Sequence, residues 1–310
     1  MNVSKQHYVP KFYLKNFENA EHLIERLDVK NASLLKSIGR SGLCYEKYFY
    51  GLITGVSDPI SQYVEKSLKR KEDVISRELP RLINLFLSNE RITPEDKQLV
   101  AFFIVMQHFR SPIFREQLNE MMQSGLEQMV AIVKNLPKES ISKFFSETFT
   151  SSLSTREIEK IINGNFEKPN YNNLLHLKMM NEMIGFSNLL WGQDWIVYKN
   201  NTSKPFVTSD NPVGIEPLER KGFYHGGFMD YTYHFSLSPS LHIVTRPPKV
   251  MSLEFSKVHR QTLTNEIDIL KQNFHIMNSC QQYVFADSKA VLKELREVIL
   301  KCREIENKAK

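Results

Sequence analysis

The chain has 310 residues, of which 41% are hydrophobic and 25% are charged. This balance is typical of a folded chain and excludes global disorder. Three cysteines, Cys44, Cys280 and Cys302, are too few and too scattered for a disulfide framework or a zinc cluster. No stretch reaches the ~18–20 apolar residues that span a bilayer, and the N-terminus lacks the apolar segment of a signal peptide. The sequence therefore predicts a cytoplasmic protein without a membrane partner.

The chain carries a formal net charge of +6. Lysine and arginine attract phosphates, so an excess of basic residues permits nucleic acid as a partner. The densest basic run, KSLKRK at 66–71, is followed at once by two acids, a pattern typical of a solvated helix face.

The first segment, residues 1–55, is interpreted as an irregular, partly extended N-terminal arm. Leu23–Val29 alternates loosely between apolar and polar residues, and Asn31-Ala32-Ser33 supplies turn chemistry before Leu34–Ile38. This pattern predicts a short β-hairpin.

Helix signals dominate residues 56–190. Asp58-Pro59 predicts a helix that runs to Leu79, where Pro80 is expected to break or kink it. Thr93-Pro94-Glu95-Asp96 has a capping threonine, a proline in the first turn and two acids, which together predict another helix start. Further helices are predicted from Ser154, by its capping-box spacing, and over Asn172–Leu190.

Residues 191–310 change to a mixed pattern. Trp195–Tyr198, a polar turn and Phe206–Thr208 predict strand, turn and strand, and a second hairpin is predicted at Tyr233–Leu237 and Leu241–Val244. The remaining signals predict a helix over Thr264–Asn273, a strand at Gln282–Ala286, and a terminal helix that Ser288 caps and that runs to about Glu306. The predicted class is α+β: a mainly helical N-terminal and middle part, then a small antiparallel sheet with flanking helices. The pattern leaves open whether the three regions are separate domains or one fused core.

Polar residues interrupt the apolar stripe of the helix that follows Thr93. Gln107 and Arg110 share a row with Val100, Phe103 and Phe114. Because a buried guanidinium is costly without a partner, Arg110 predicts either an acidic partner or an anionic ligand. Glu65 and Glu72 lie seven residues apart on one predicted helix face, where two carboxylates can hold a cation.

Two further residues are candidates for chemistry. Asp210 ends an apolar strand in a turn restricted by Pro212, a place where hydrolases hold a metal or a base; the alternative is a carboxylate that only accepts backbone N–H groups. His7 lies among aromatic residues near Pro10, and it is read either as a general base or metal ligand or as a packed anchor.

Four segments together resemble a bacterial family catalogued as domain of unknown function 4238: QHYVPKFYLKNF at 6–17, QHFRSP at 107–112, the run from Trp195 to TSDNPV at 208–213, and FSLSPSLHIV at 235–244. The signature polar residues at these positions are Gln6, His7, Gln107, Arg110, Asp210 and Asn211. The resemblance implies a stand-alone cytoplasmic protein in a mobile or defence-associated context, and it transfers no activity.

Several enzyme classes are disfavoured, because the sequence contains no GxxxxGK[ST], GxGxxG, GxSxG or HExxH motif. The first hypothesis is a metal-assisted phosphodiesterase, a nuclease acting on RNA or DNA in phage defence. Asp210 would hold Mg²⁺ or Mn²⁺, His7 would act as base or second ligand, and Glu65 or Glu72 would complete the metal shell. Arg110 would neutralise a phosphate oxygen, and Gln6, Gln107 and Asn211 would orient groups. The second hypothesis is a non-catalytic sensor or binding module in which the same residues form a buried network, with an Arg110–Asp210 pair as its simplest version.

Overall fold

Two hairpin-like pairs form the N-terminal arm. A computed structural model of the chain describes residues 3–53, 55–135, 173–218, 231–247 and 258–309, together with positions 137, 156, 160 and 163. Strand β1 (Lys5–His7) pairs antiparallel with β4 (Tyr45–Lys47), and helix α1 (Lys11–Leu14) follows β1. Between them, β2 (Ile24–Asp28) and β3 (Ser33–Ile38) pair antiparallel, so the predicted hairpin is confirmed.

Helix α2 (Pro59–Leu87) is longer than the sequence predicts. It begins as expected, because the Asp58 carboxylate accepts the Ser61 N–H at 2.6 Å. It does not end at Pro80, which lies inside the helix. Leu82 and Phe86, which follow the proline, are buried in the core. Their packing offsets the free-energy cost of the backbone hydrogen bond that Pro80 cannot donate, and the helix continues.

The central helix α3 (Pro94–Phe109) begins at a capping box. The Thr93 hydroxyl accepts the Asp96 N–H at 3.2 Å, and the Asp96 carboxylate accepts the Thr93 N–H at 3.1 Å. These two bonds satisfy donors that the first helical turn leaves open. The predicted start is therefore confirmed, and α4 (Pro112–Lys134) follows α3 after a two-residue break.

One predicted helix is divided in the structure. Residues 172–190 were expected to form a single helix, but α5 (Leu174–Asn181) and α6 (Met183–Trp191) are separated at Glu182, whose backbone has φ −86° and ψ 2°. The helix predicted from Ser154 begins outside the described residues.

A five-stranded sheet lies against these helices, in the order β10-β5-β9-β8-β7. All neighbours are antiparallel except β10 and β5, so the sheet is mixed and not purely antiparallel as predicted. The hairpin of β8 and β9 is confirmed. The bounds are β5 (Asp194–Asn200), β7 (Val213–Pro217), β8 (Tyr231–Ser238), β9 (Leu241–Arg246) and β10 (Val258–Leu263).

A second sheet joins the two ends of the chain, in the order β3-β2-β11-β6. Here β6 is only Thr208–Ser209 and β11 is Tyr283–Ala286. The predicted strand over 206–208 is thus shorter and pairs with β11, not with β5. The reason is that Phe206 N–H donates to the Pro239 carbonyl and Val207 N–H to the Asn273 side chain, each at 2.9 Å.

Helices cover the remaining faces of the sheets. Helix α7 (Glu266–Asn278), capped by the Asn265 side chain, packs on β7 and β8, and α8 (Lys289–Ala309) packs on β2, β3 and β11. The α+β class is confirmed. Among the described residues, no helix has the length and apolar character needed to cross a bilayer.

Candidate functional site

A cleft of about 340 Å³ opens where the N-terminal arm meets α2 and the end of α3. Strand β1 places His7 there, because its pairing with β4 fixes the direction of the strand. The seven-residue spacing on α2 places Glu65 and Glu72 in the same cleft. The charged or titratable residues in its lining are Lys5, His7, Lys11, Glu65, Lys69, Glu72, Asp73 and Arg110.

Arg110 is 2% exposed and caps the C-terminus of α3. Its Nη1 donates to Glu72 at 2.5 Å, its Nε donates to the Tyr50 hydroxyl at 3.0 Å, and its Nη2 donates to the His7 carbonyl. The predicted acidic partner therefore exists, but it is Glu72 and not Asp210. These three bonds connect the arm, α2 and α3, and they give the guanidinium an anchoring role.

Glu65 differs from Glu72 although both project from α2. Its Oε2 is buried without a hydrogen-bond partner. Burial raises the pKa of Glu65 to about 7, with the charge of Glu72 adding to the rise and Arg110 opposing it. A carboxyl group with this pKa can hold a proton near neutral pH and release it.

His7 complements Glu65 in the cleft. Its Nε2 is buried without a hydrogen-bond partner. Burial lowers the pKa of His7 to about 4, and the charges of Lys11 and Arg110 lower it further, while a backbone hydrogen bond at Ser41 opposes them. The imidazole is consequently neutral at pH 7, the form that accepts a proton.

Asp210 has a different environment from the one that the metal hypothesis requires. It is 2% exposed, and its two oxygens accept the backbone N–H groups of Gln281, Gln282 and Tyr283 at 2.8–2.9 Å. Burial raises its pKa to about 6, and the three N–H groups oppose that rise. This is the alternative of a carboxylate bound to backbone groups, and it fixes the start of β11.

The predicted orienting residues lie in separate places. Gln6 is fully buried and bridges the Ser61 carbonyl and the Tyr50 N–H. Gln107 is also fully buried, and neither of its side-chain polar atoms has a partner. Asn211 donates to the Ser279 carbonyl at 2.7 Å and lines another cavity of about 730 Å³. The structure thus makes Gln6 a connector of the arm and does not bring Asn211 into the cleft.

The predicted metal ligands do not converge. No three of His7, Glu65, Glu72 and Asp210, all of them described, place donor atoms within 4.8 Å of one another. Within the described residues, the group that meets this distance is Glu216, His234 and His275, and these three are not among the predicted site residues. The predicted β8–β9 hairpin indicates one residue of this group, because its register puts His234 and His242 on the same face of the sheet. It gives no sign of Glu216 or His275.

Comparison with known proteins agrees with the sequence resemblance. The family model described as "Protein of unknown function (DUF4238)" matches residues 5–290. The chain therefore belongs to this family of proteins of unknown function. No curated protein and no solved structure matches it.

Proposed function

We propose that the protein is a phosphodiesterase that cleaves RNA by acid–base chemistry in the N-terminal cleft. One observation carries the proposal: two buried, unpartnered titratable atoms, Nε2 of His7 and Oε2 of Glu65, belong to residues that line the same cleft. Lys5 and Lys11 line it as well, beside Lys69, whose ammonium group pairs with Asp73 at 3.3 Å. Lysine ammonium groups attract phosphate.

The proposed reaction needs no resident metal. Neutral His7 takes the proton of a ribose 2′-hydroxyl, and that oxygen attacks the adjacent phosphorus. The bond from phosphorus to the 5′-oxygen breaks, and protonated Glu65 donates its proton to the departing oxygen. The products are a 2′,3′-cyclic phosphate and a 5′-hydroxyl, so atoms and charge balance without water. DNA lacks the attacking hydroxyl and is not a substrate.

This proposal revises the metal-assisted hypothesis in the part that it gives to a metal and in the roles of several residues. It keeps the nuclease class and His7 as the base, but it makes Glu65 an acid and not a metal ligand and gives Asp210 no catalytic part. Mg²⁺ or Mn²⁺ has no assigned part either, because the four expected ligands do not converge. Arg110 positions the His7 backbone through its bond to that carbonyl. The setting in phage defence stays a prediction of the family resemblance.

The test is cleavage of end-labelled tRNA, single-stranded RNA and plasmid DNA, each with EDTA, Mg²⁺ or Mn²⁺. We expect RNA cleavage that survives EDTA and leaves cyclic phosphate ends, and no cleavage of DNA. Glu65→Gln and His7→Gln should each reduce the rate by about 10²–10⁴-fold, the range for general acid–base groups. Glu78→Gln, on the same helix outside the cleft, should leave the rate unchanged.

Three outcomes would reject this chemistry. Cleavage only with Mg²⁺ or Mn²⁺ would restore the metal-assisted hypothesis, and equal rates for Glu65→Gln and the parent would remove the proposed acid. Absence of RNA cleavage by the folded protein would favour the non-catalytic hypothesis. That second candidate has its own support, since Gln6, Arg110 and Asp210 all bond to protein groups.

A further inference from the structure

A histidine-rich surface lies on the face of the five-stranded sheet that α7 covers. In the pairing of β7 with β8, Gly214 lies opposite His234 and Glu216 opposite Thr232. Because side chains alternate along a strand, Glu216 and His234 project from the same face. His275, near the C-terminus of α7, reaches that face from above.

The close approach of α7 to the sheet depends on Gly214. A Cβ atom at this position would lie 3.1 Å from the His275 carbonyl oxygen and 3.2 Å from the His234 Cβ. Since glycine has no Cβ, the end of α7 can lie directly on the strand pair. The imidazoles of His234 and His275 then stack with centroids 4.0 Å apart and ring planes 13° apart.

The donor atoms lie close to the spacing of a metal site. Oε2 of Glu216 lies 3.3 Å from Nε2 of His234 and 3.9 Å from Nδ1 of His275, and all three donor atoms lie within 4.8 Å of one another. Zinc bound at 2.0–2.2 Å in a tetrahedron holds its ligand atoms roughly 3.3–3.6 Å apart. A modest contraction, with the two rings tilting out of their parallel stack, would bring the three atoms to that spacing.

The environment fits an ion with an open coordination position. The His234 side chain is 4% exposed, whereas those of His275 and Glu216 are 30% and 51% exposed. One ligand is therefore held rigidly in the sheet, and the other two face solvent and can adjust. His242 is fully buried beside His234, and its Nδ1 forms a hydrogen bond with Ser236 Oγ at 3.0 Å. This bond fixes the imidazole that packs against His234.

We propose that Glu216, His234 and His275 bind one Zn²⁺ ion. Two imidazoles and one carboxylate are a ligand set that zinc adopts, with a fourth position left to water or substrate, whereas Mg²⁺ and Ca²⁺ prefer oxygen ligands. The site is independent of the N-terminal cleft, so it does not rest on the proposed RNA cleavage.

The experiment measures zinc bound by the tag-free full-length protein. The protein is stripped with EDTA, incubated with Zn²⁺, desalted and analysed for metal content, and its affinity is measured by competition with a chelating dye. Co²⁺ serves as a spectroscopic probe, because its visible spectrum reports nitrogen and oxygen ligands. We expect one equivalent of Zn²⁺, and no equivalent binding of Mg²⁺.

Matched variants identify the ligands. Glu216→Gln changes a half-exposed side chain and should leave the fold intact. It should raise the zinc Kd at least about tenfold, because even the loss of a residue that only hydrogen-bonds to a metal ligand has an effect of this size. His275→Gln should do the same and alter the Co²⁺ spectrum. Glu297→Gln and His259→Gln, at exposed positions on α8 and β10, should bind as the parent does.

Binding of less than half an equivalent of zinc would overturn the proposal, leaving Glu216 as an ion-pair partner of the histidines only. Equal affinities for the parent and Glu216→Gln would overturn it too, because the zinc would then lie elsewhere. Mg²⁺ bound as tightly as Zn²⁺ would reject the assigned ligand chemistry.

Discussion

Three backbone N–H groups surround the carboxylate of Asp210, whereas the buried Oε2 of Glu65 has no hydrogen-bond partner. Hydrogen bonds to the charged form hold Asp210 to the backbone at the start of β11, whereas burial raises the pKa of Glu65 to about 7. At the residue scale, these two environments decide which acid is proposed for catalysis and which acid is structural.

Glu65 predicts a specific pH dependence of stability. Its folded-state pKa of about 7 exceeds the ordinary value, so the folded protein binds more protons than the unfolded chain between about pH 4.5 and 7. The free energy of unfolding should therefore fall as pH rises through this window and level off above it. Glu65→Gln removes this term and should stabilise the protein more at pH 8 than at pH 5 in urea titrations.

The control for that prediction is Glu78→Gln, which changes an exposed carboxylate on the same helix. Its effect on the free energy of unfolding should be the same at both pH values. A Glu65→Gln effect that is also independent of pH would contradict the assigned pKa.

Asp210→Asn should destabilise the protein by about 1–3 kcal/mol. The asparagine NH₂ group would face at least one of the three backbone donors that the carboxylate accepts, leaving that donor without a partner. The midpoint of chemical denaturation measures this loss. Asp287→Asn is a suitable control, because Oδ1 of Asp287 is buried without a partner, so the change at that atom deprives no donor of its acceptor and should cost less stability. Unchanged stability of Asp210→Asn would contradict the structural role of Asp210 and reopen a metal role.

At the scale of elements, one close approach determines how α7 lies on the five-stranded sheet. Gly214 is the contact point, because a Cβ atom there would lie 3.1 Å from the His275 carbonyl oxygen, a contact so tight that the helix end would have to shift by a few tenths of an ångström. Neither a helix pattern nor a strand pattern reveals this contact, because each element has its expected periodicity by itself. The packing of α7 on β7 and β8 creates the histidine-rich face.

Gly214→Ala should displace the end of α7 and cost about 1–3 kcal/mol, the usual range for overpacking. Zinc affinity should fall in the same variant, because His275 moves with the helix. Thermal unfolding with and without Zn²⁺ measures both effects. Gly125→Ala, in α4 with nothing within 4 Å of the added Cβ, should stabilise slightly through helix propensity; equal behaviour of the two variants would argue against the close contact.

At the scale of the whole molecule, Tyr13 joins the arm, the helices and the sheet. Its ring stacks on Phe235 at 5.3 Å and meets Phe103 edge-on at 5.7 Å. Its hydroxyl lies 2.8 Å from Thr208 Oγ1 and donates to the Ser236 carbonyl at 2.6 Å. Residues from all three predicted regions, 1–55, 56–190 and 191–310, belong to the same apolar cluster.

We therefore expect one cooperative unfolding transition. The two tryptophans of the chain, Trp191 and Trp195, lie at the junction of α6 and β5 and report on it by fluorescence, whereas far-UV circular dichroism reports mainly on the helices. Both signals should change at the same urea concentration. An early fluorescence transition with the helical signal retained would show that the regions unfold separately.

The sequence by itself determined the elements whose signals are local. The helix start at Thr93, the hairpin of β2 and β3, and the hairpin of β8 and β9 follow from spacing and turn chemistry among neighbouring residues. The need of Arg110 for a partner also followed, because burial of a charge is costly wherever it occurs. In each case the physical cause acts within a few residues or within one side chain.

Only the tertiary structure decided which distant groups meet. Glu72 and not Asp210 pairs with Arg110, β6 pairs with β11, and α2 continues through Pro80. The convergence of Glu216, His234 and His275 required strand register and a helix contact at once. Such outcomes depend on long-range packing and on the direction of side chains across elements, and the order of residues along the chain carries no direct record of either.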